Sequence, residues 1–254
     1  MPLAVITGAS GGIGLELARV FAREGFDLAL VARSGDALAR ISDELQKEFR
    51  RKVQVVVEDL SAVGAPARVY AATGDADVLV NNAGFGLTGK FVELDAEMQL
   101  NMIELNITAL TALTRLYLPA MVKRGSGRIL NVASTAAFQA GPLMAIYYAS
   151  KAYVLAFTEG IAEELSGTGV TATALCPGPV VTGFQERSGL EGAKLLKSPL
   201  VMTAEAVAEY GYAATMSGKV IAIAGTGNRL MAWSTKLAPR AMTRKIARSL
   251  QETS

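Results

Sequence analysis

The chain has 254 residues, 51% hydrophobic and 19% charged, with one cysteine and no histidine, a composition that suits one large, well-buried domain and excludes a disordered chain. A formal net charge of +2 is too small to point to nucleic acid, and a lone cysteine excludes an internal disulfide framework and suits a reducing compartment. The opening MPLAVITGAS has no basic region of the signal-peptide kind, and the longest uncharged run, 129–150, is too polar and broken to span a bilayer, so the expectation is a soluble cytoplasmic protein.

Short apolar runs alternate with longer amphipathic ones. Leu3–Thr7 reads as a strand and Gly12–Glu24 as a helix. Asp27–Ala32 is a second strand, Asp36–Arg50 a charged helix, and the β-branched Val53–Val57 a third strand. A short helix over Val63–Thr73 leads to a strand at Asp77–Asn81 and a long helix over Asp95–Met121. Then follow a strand at Gly127–Val132, a helix at Tyr147–Leu165, a strand at Val170–Leu175, a helix at Thr203–Thr215 and a seventh strand at Lys219–Ala224. LAVIT, LALVA, VQVVV and VLVNN are apolar on both sides of the pleat, as a sheet covered on both faces requires. The expected fold is therefore α/β: one doubly wound, seven-stranded, mostly parallel sheet with helices on both faces, in a single domain over 1–254. One long insertion interrupts it at about 180–202, and insertions of that size inside a compact domain are often functional.

TGASGGIG, Thr7 to Gly14, lies between the first strand and the first helix. Gly8, Gly12 and Gly14 suit a sharp bend where backbone approaches a pyrophosphate at a helix N-terminus; an ordinary strand-to-helix turn is the plainer reading. The second strand ends in Ala32-Arg33-Ser34, with no acid there for a ribose 2′-hydroxyl. Arg33 suits a 2′-phosphate through its planar fork, so the expected cofactor is NADP(H). Asp36, close by, reads as the start of the next helix. Asp59, after the third strand, reads either as an adenine contact or as a turn aspartate. Asn82, Ala83 and Gly84 end the fourth strand, where small residues let backbone come close to a ligand.

YYASKA, Tyr147 to Ala152, raises the question of proton transfer in a chain without imidazole. Residues four apart share a helix face, so Tyr147 pairs with Lys151, whereas Tyr148 points about 100 degrees away. A free tyrosine titrates near ~10, and a nearby cation lowers that value. Bringing it near neutral needs about 4 kcal/mol for about 3 units, which the lysine and an oxidised nicotinamide are expected to supply. Packing tyrosine and surface lysine is the plainer alternative. Ser134, after the fifth strand, is placed to hold a carbonyl oxygen, or simply to cap. Asn106 is mid-helix, where asparagine is disfavoured unless its side chain has a partner.

These motifs in order, with PGPVVT at Pro177–Thr182, resemble the single-domain subgroup of short-chain dehydrogenases/reductases over about 3–182, and more loosely to 224. The resemblance implies a catalytic tetrad of Asn106, Ser134, Tyr147 and Lys151. Tyr147 would transfer the proton, Lys151 lower its pKa and bind the nicotinamide ribose, Ser134 polarise the carbonyl, and Asn106 anchor a relay water. It implies a cofactor set of Gly8, Ser10, Gly12, Ile13, Gly14, Arg33, Asp59, Leu60, Asn82, Ala83, Gly84, Tyr147, Lys151, Pro177, Gly178, Val180 and Thr182, with no metal. Gly11 stands where many members carry a second serine, so the NADP preference rests on Arg33, helped by Ser10. Homodimers or homotetramers through about 95–121 and 147–165 are likewise implied.

Phe85, Leu87, Phe138, Leu143, Met144, Val181, Phe184 and Leu190 are the expected pocket wall, which suits a ketone, aldehyde or secondary alcohol with a hydrophobic body. In the tail, 233–254, Lys236, Arg240, Arg244 and Arg248 recur every four residues beside Lys245, while Met242, Ile246 and Leu250 share another face. It reads as a solvated helix packed on the body or as a docking element for an anionic membrane or a partner. The short Tyr-to-Lys spacing argues against an enoyl reductase, and the length against an extended epimerase. A non-catalytic NADP(H) sensor or scaffold would keep the nucleotide loop but has no need of the complete tetrad.

Overall fold

The computed structural model describes residues 1–189 and 198–251. Among them, seven parallel strands form one sheet in the order β3-β2-β1-β4-β5-β6-β7: β1 (Leu3–Thr7), β2 (Asp27–Ala32), β3 (Val53–Val57), β4 (Val78–Asn81), β5 (Gly127–Val132), β6 (Val170–Cys176) and β7 (Ile221–Ile223). β7 is shorter than its sequence pattern. The Lys219 amide bonds the Ala214 carbonyl at 3.0 Å, so the preceding helix end claims the residue before it can join the ladder.

The strands alternate as a two-sided sheet demands. Ala4, Ile6, Leu28, Leu30, Val78, Val80 and Leu130 face one apolar core. Val5, Ala29, Val31, Leu79 and Ile129 face the other. Helices α1 (Gly12–Arg23), α2 (Gly35–Phe49) and α8 (Ala204–Met216) cover the first core through Leu17, Phe21, Leu38, Leu45 and Val207. Helices α3 (Ala65–Thr73), α5 (Leu110–Arg124) and α6 (Ala145–Glu164) cover the second through Val69, Leu113, Tyr117, Met121 and Ile161. The winding reverses between β1 and β4, and the carboxyl ends of those strands open the crevice where such folds bind ligands.

The long helix expected over 95–121 runs as α4 (Ala96–Ile103), a π-helical stretch at Glu104–Ala109, and α5. Asp95 caps it, its carboxylate accepting from the Met98 amide at 2.7 Å. By length and composition this helix, Ala96–Arg124, is apolar enough to cross a membrane; Leu113, Tyr117 and Met121 lie buried against the sheet. The described part of the insertion contains α7 (Phe184–Ser188), and its ends meet where Val180 pairs with Met202. Beyond β7 come α9 (Thr226–Leu237) and α10 (Arg240–Gln251), separated around Pro239. α9 packs on a short 3₁₀ turn, Thr135–Phe138, where the Thr235 hydroxyl donates to the Phe138 carbonyl at 3.3 Å.

Candidate active site

At the crevice, the ends of β1 and β4 are tied together. The Thr7 hydroxyl accepts the amides of Asn82 and Ala83, both at 3.0 Å, and donates to the Val80 carbonyl at 3.1 Å. The Asn82 side chain donates to the Thr7 carbonyl at 2.9 Å and the Gly8 carbonyl at 3.3 Å. Asn82 therefore braces the glycine loop with its side chain. Gly8 turns at φ +66, a left-handed conformation that favours glycine. Gly14 lies behind the loop; a Cβ there would sit 2.3 Å from the Gly8 carbonyl oxygen and 2.5 Å from the Asn82 amide nitrogen. The first turn of α1 has no side-chain cap, so its amides remain available to an anion.

A cleft of about 700 Å³ runs from this loop to Tyr147. Every residue of the expected tetrad and cofactor set lines it except Gly14 and Asn106. At one end stands Arg33, its side chain 71% exposed and its guanidinium 3.9 Å from the Asp59 carboxylate. Asp59 Oδ1 accepts from the Ser61 amide at 3.0 Å and the Ser61 hydroxyl at 2.7 Å, so it is a turn-forming aspartate that also borders the cleft. Burial alone would raise its pKa, but the two Ser61 bonds and Arg33 outweigh it and hold the carboxyl below its usual value.

At the other end, α6 begins at Ala145, two residues earlier than the sequence pattern, which places Tyr147 in its first turn. Ser134 leaves β5 in an extended conformation, and its Oγ accepts the Ala136 amide at 3.1 Å. The same hydroxyl donates to the Pro177 carbonyl at 3.5 Å and acts to lower the pKa of the Tyr147 phenol. Lys151 is buried, and its Nζ donates to the Val132 carbonyl at 2.8 Å, 5.8 Å from the centre of the Tyr147 ring.

The electrostatics differ from the sequence expectation. Desolvation pushes the Tyr147 phenol up to about 12, against the smaller opposing effect of Ser134. Desolvation also pulls Lys151 down to about 8. The lysine is turned toward Val132, so without the charge of an oxidised nicotinamide it does not overcome burial of the phenolate. Tyr148 is buried beside Gln251 and is likewise raised by desolvation.

Asn106 sits in the π-helical stretch, and such turns recur at functional sites. Its Nδ2 donates to the Phe85 carbonyl at 3.0 Å and to Ser150 Oγ at 3.1 Å, and its Oδ1 accepts the Phe85 amide at 3.1 Å. Ser150 in turn donates to the Tyr147 carbonyl at 2.7 Å. Asn106 thus holds the Phe85 strap to the tyrosine helix. A Cβ on Gly84 would meet Asn106 Oδ1 at 2.9 Å and Lys151 Nζ at 3.7 Å, so carboxamide and ammonium border the same point of backbone.

The expected pocket wall divides. Met144 and Phe184 line the cleft, and Phe184 packs on Tyr147 with ring centres 5.3 Å apart. Leu87 and Leu143 line a separate cavity of about 40 Å³. Phe138 packs beside Val154 and Ile223, Val181 points to solvent, Phe85 is outside the cleft lining, and Leu190 lies outside the described residues. These loop residues have no periodic pattern, so their direction depends on the neighbours they meet. The sequence reading also missed Gln185, Met231 and Leu250, all in the lining. Gln185 fastens the insertion: its Oε1 accepts the Thr182 amide at 3.0 Å and its Nε2 donates to the Val180 carbonyl.

Residues 2–191 match the short chain dehydrogenase family. The chain belongs to the short-chain dehydrogenase/reductase family. One relative, the ketoacyl reductase HetN of Nostoc sp., is 37% identical over 196 residues, covering 75% of this chain and 68% of its own. Among solved structures, a Sphingobium yanoikuyae short-chain dehydrogenase in complex with NADPH is 33% identical with a TM-score of 0.84, covering 93% of this chain and 94% of that one. A bulky-bulky ketone specific alcohol dehydrogenase from Comamonas testosteroni is 29% identical with a TM-score of 0.78, covering 93% of each. The tetrad that the sequence resemblance implies is Asn106, Ser134, Tyr147 and Lys151. Of these, Ser134, Tyr147 and Lys151 line this chain's cleft, while Asn106 stands behind Gly84.

Proposed function

We propose that this chain is an NADP(H)-dependent oxidoreductase that moves hydride between nicotinamide and a carbonyl or secondary alcohol on a hydrophobic small molecule. The observation that carries this reading is the single cleft joining Arg33 at one end to Ser134, Tyr147 and buried Lys151 at the other. The donor set fits the cofactor: uncapped amides at α1 for a pyrophosphate and an exposed arginine for a 2′-phosphate. The NADPH complex of the Sphingobium relative and the ketone specificity in the Comamonas relative's name support the same reading.

When bound, the nicotinamide supplies or accepts the hydride at the carbonyl carbon. Ser134 orients the carbonyl oxygen and Tyr147 donates the proton that turns it into a hydroxyl. Held up to about 12 by burial, Tyr147 stays protonated through the physiological range, so the proton is present to be given, and positive charge nearby is what makes its transfer easier. In the oxidative direction Tyr147 must first lose that proton, which requires nearby positive charge; Lys151 is the residue placed to contribute it. Met144 and Phe184 give the substrate an apolar seat. A complete set of acid, oxygen holder and buried lysine favours an enzyme over a non-catalytic sensor.

We further propose a cytoplasmic protein assembled as a homodimer or homotetramer through α4–α5 and α6, where Leu100 and Tyr153 are exposed. The deciding experiment titrates NADPH and NADH separately into the purified chain, then follows NADPH oxidation with hydrophobic ketones and aldehydes. NADPH binding at least about tenfold tighter, or about 1.4 kcal/mol, with turnover supports the reading. Tight NADPH binding without turnover on any carbonyl favours the sensor.

A further inference from the structure

Six of the chain's 25 Lys and Arg residues lie between Arg229 and Arg248, and no Asp or Glu occurs from Thr226 to Gln251. The helices carrying them also turn apolar side chains outward. On α9, Leu230 is 74% exposed and Trp233 60%. On α10, Met242 is 56% exposed and Ile246 46%, while Thr243, Ala247 and Gln251 are buried. An ordinary solvated helix buries methionine and isoleucine and exposes threonine and glutamine; α10 does the reverse. Met242, Ile246 and Leu250 are spaced i, i+4, i+8 and form one stripe, and Leu250 lines the cleft. The stripe therefore runs from solvent to the site. On α9, Met231 lines the cleft beside exposed Leu230.

We infer that the outer face of α9 and α10 docks this chain on an anionic lipid bilayer with the mouth of the cleft turned toward the lipid. Arg240, Arg244 and Lys245 are exposed next to the stripe, where cations meet anionic headgroups while Leu230, Trp233, Met242 and Ile246 enter the interface. Tryptophan suits that boundary, apolar in body and polar at one edge. Nucleic acid would match the charge but not the four exposed apolar side chains beside it. A two-fold contact between copies would set the cationic patches against each other. Delivery of a hydrophobic substrate from the membrane to Tyr147 rests on the proposed function; the docking does not.

Trp233 is the chain's one tryptophan, so its emission reports docking on the unmodified protein. Vesicles of phosphatidylcholine mixed with phosphatidylglycerol are expected to blue-shift the emission and carry the protein down on centrifugation, with release at high salt. Pure phosphatidylcholine vesicles are expected to do neither. The triple variant Arg240→Gln, Arg244→Gln, Lys245→Gln should lose on the order of 100-fold in partitioning. Leu230→Ser with Ile246→Ser should abolish the blue shift, with circular dichroism showing both variants folded. Absence of any shift or co-sedimentation with anionic vesicles overturns the proposal. So does equal binding to both vesicle types by wild type and triple variant, or a blue shift that grows with protein concentration alone, which would make this face a contact between copies.

Discussion

The Lys151 ammonium lies 5.8 Å from the centre of the Tyr147 ring and donates to the Val132 carbonyl at 2.8 Å. The two side chains share a helix face, yet the lysine is anchored to the end of β5. Tyr147 is therefore governed by its burial and by Ser134 in the free chain, and its proton is tightly held. Replacing Tyr147 by Phe is expected to lower kcat by about 10²- to 10⁴-fold, the range for loss of a positioned acid. Tyr148→Phe, at the residue beside Gln251, should keep kcat within about threefold, because the proposed proton donor is the Tyr147 hydroxyl and not this one. Steady-state assays with NADPH and an active ketone compare the two, and a Tyr147→Phe protein with full activity would sink the mechanism.

Lys151 and Tyr147 also leave opposite marks on stability against pH. The folded pKa of Lys151 lies at about 8, below its ordinary 10.5. Between these values the unfolded chain binds the extra proton, so this residue makes stability rise with pH across that window. Tyr147 is raised from 10.0 to about 12, so between these values the folded chain binds the extra proton and stability falls as pH rises. Denaturation midpoints measured from pH 8 upward should show a gain, then a loss. Lys151→Met should remove the gain, worth about 3 kcal/mol at ~1.4 kcal/mol per unit; Tyr147→Phe should remove its share of the loss.

Asn106 supports the site through bonds to Phe85 and Ser150 rather than by lining the cleft. Asn106→Ala strands the Phe85 amide and carbonyl and one Ser150 contact, costing about 1–3 kcal/mol for each group left buried and unpaired. Urea denaturation should show that loss, together with weaker kcat as the Phe85 strap and α6 separate.

Arg33 is the residue proposed to select the cofactor. Its guanidinium is exposed and only loosely paired with Asp59 at 3.9 Å, so it is free to engage a 2′-phosphate. Arg33→Ser should weaken NADPH binding by at least about tenfold and leave NADH nearly unchanged, as read by nucleotide fluorescence. Equal losses for both cofactors would reduce Arg33 to a surface charge.

The glycine loop offers a paired test. Gly14→Ala drives a Cβ into the Gly8 carbonyl at 2.3 Å, so cofactor binding should be lost and the melting temperature lowered. At Gly11 a Cβ meets nothing within 4 Å, and its φ of 173 is extended backbone. Gly11→Ala should bind NADPH like the parent and melt within a degree or so of it.

The sequence by itself determined the seven strands, the glycine turn and the helix phase that pairs Tyr147 with Lys151, because period two, period 3.6 and glycine's freedom at φ +66 are local properties. It also placed Ser134 and Arg33 at strand ends, where a parallel sheet opens its crevice. Tertiary structure alone decided that the Tyr147 pKa goes up, since burial depends on Phe184 and Ala136 arriving from elsewhere in the chain. It decided that Asn106 ties down Phe85 and Ser150, a bond pattern spanning 44 residues that no local spacing encodes. It also brought Leu250, at the far end of the chain, to the cleft that begins at Gly8. Such contacts form only when the packed sheet brings distant segments together, and the burial they create sets the chemistry of the site.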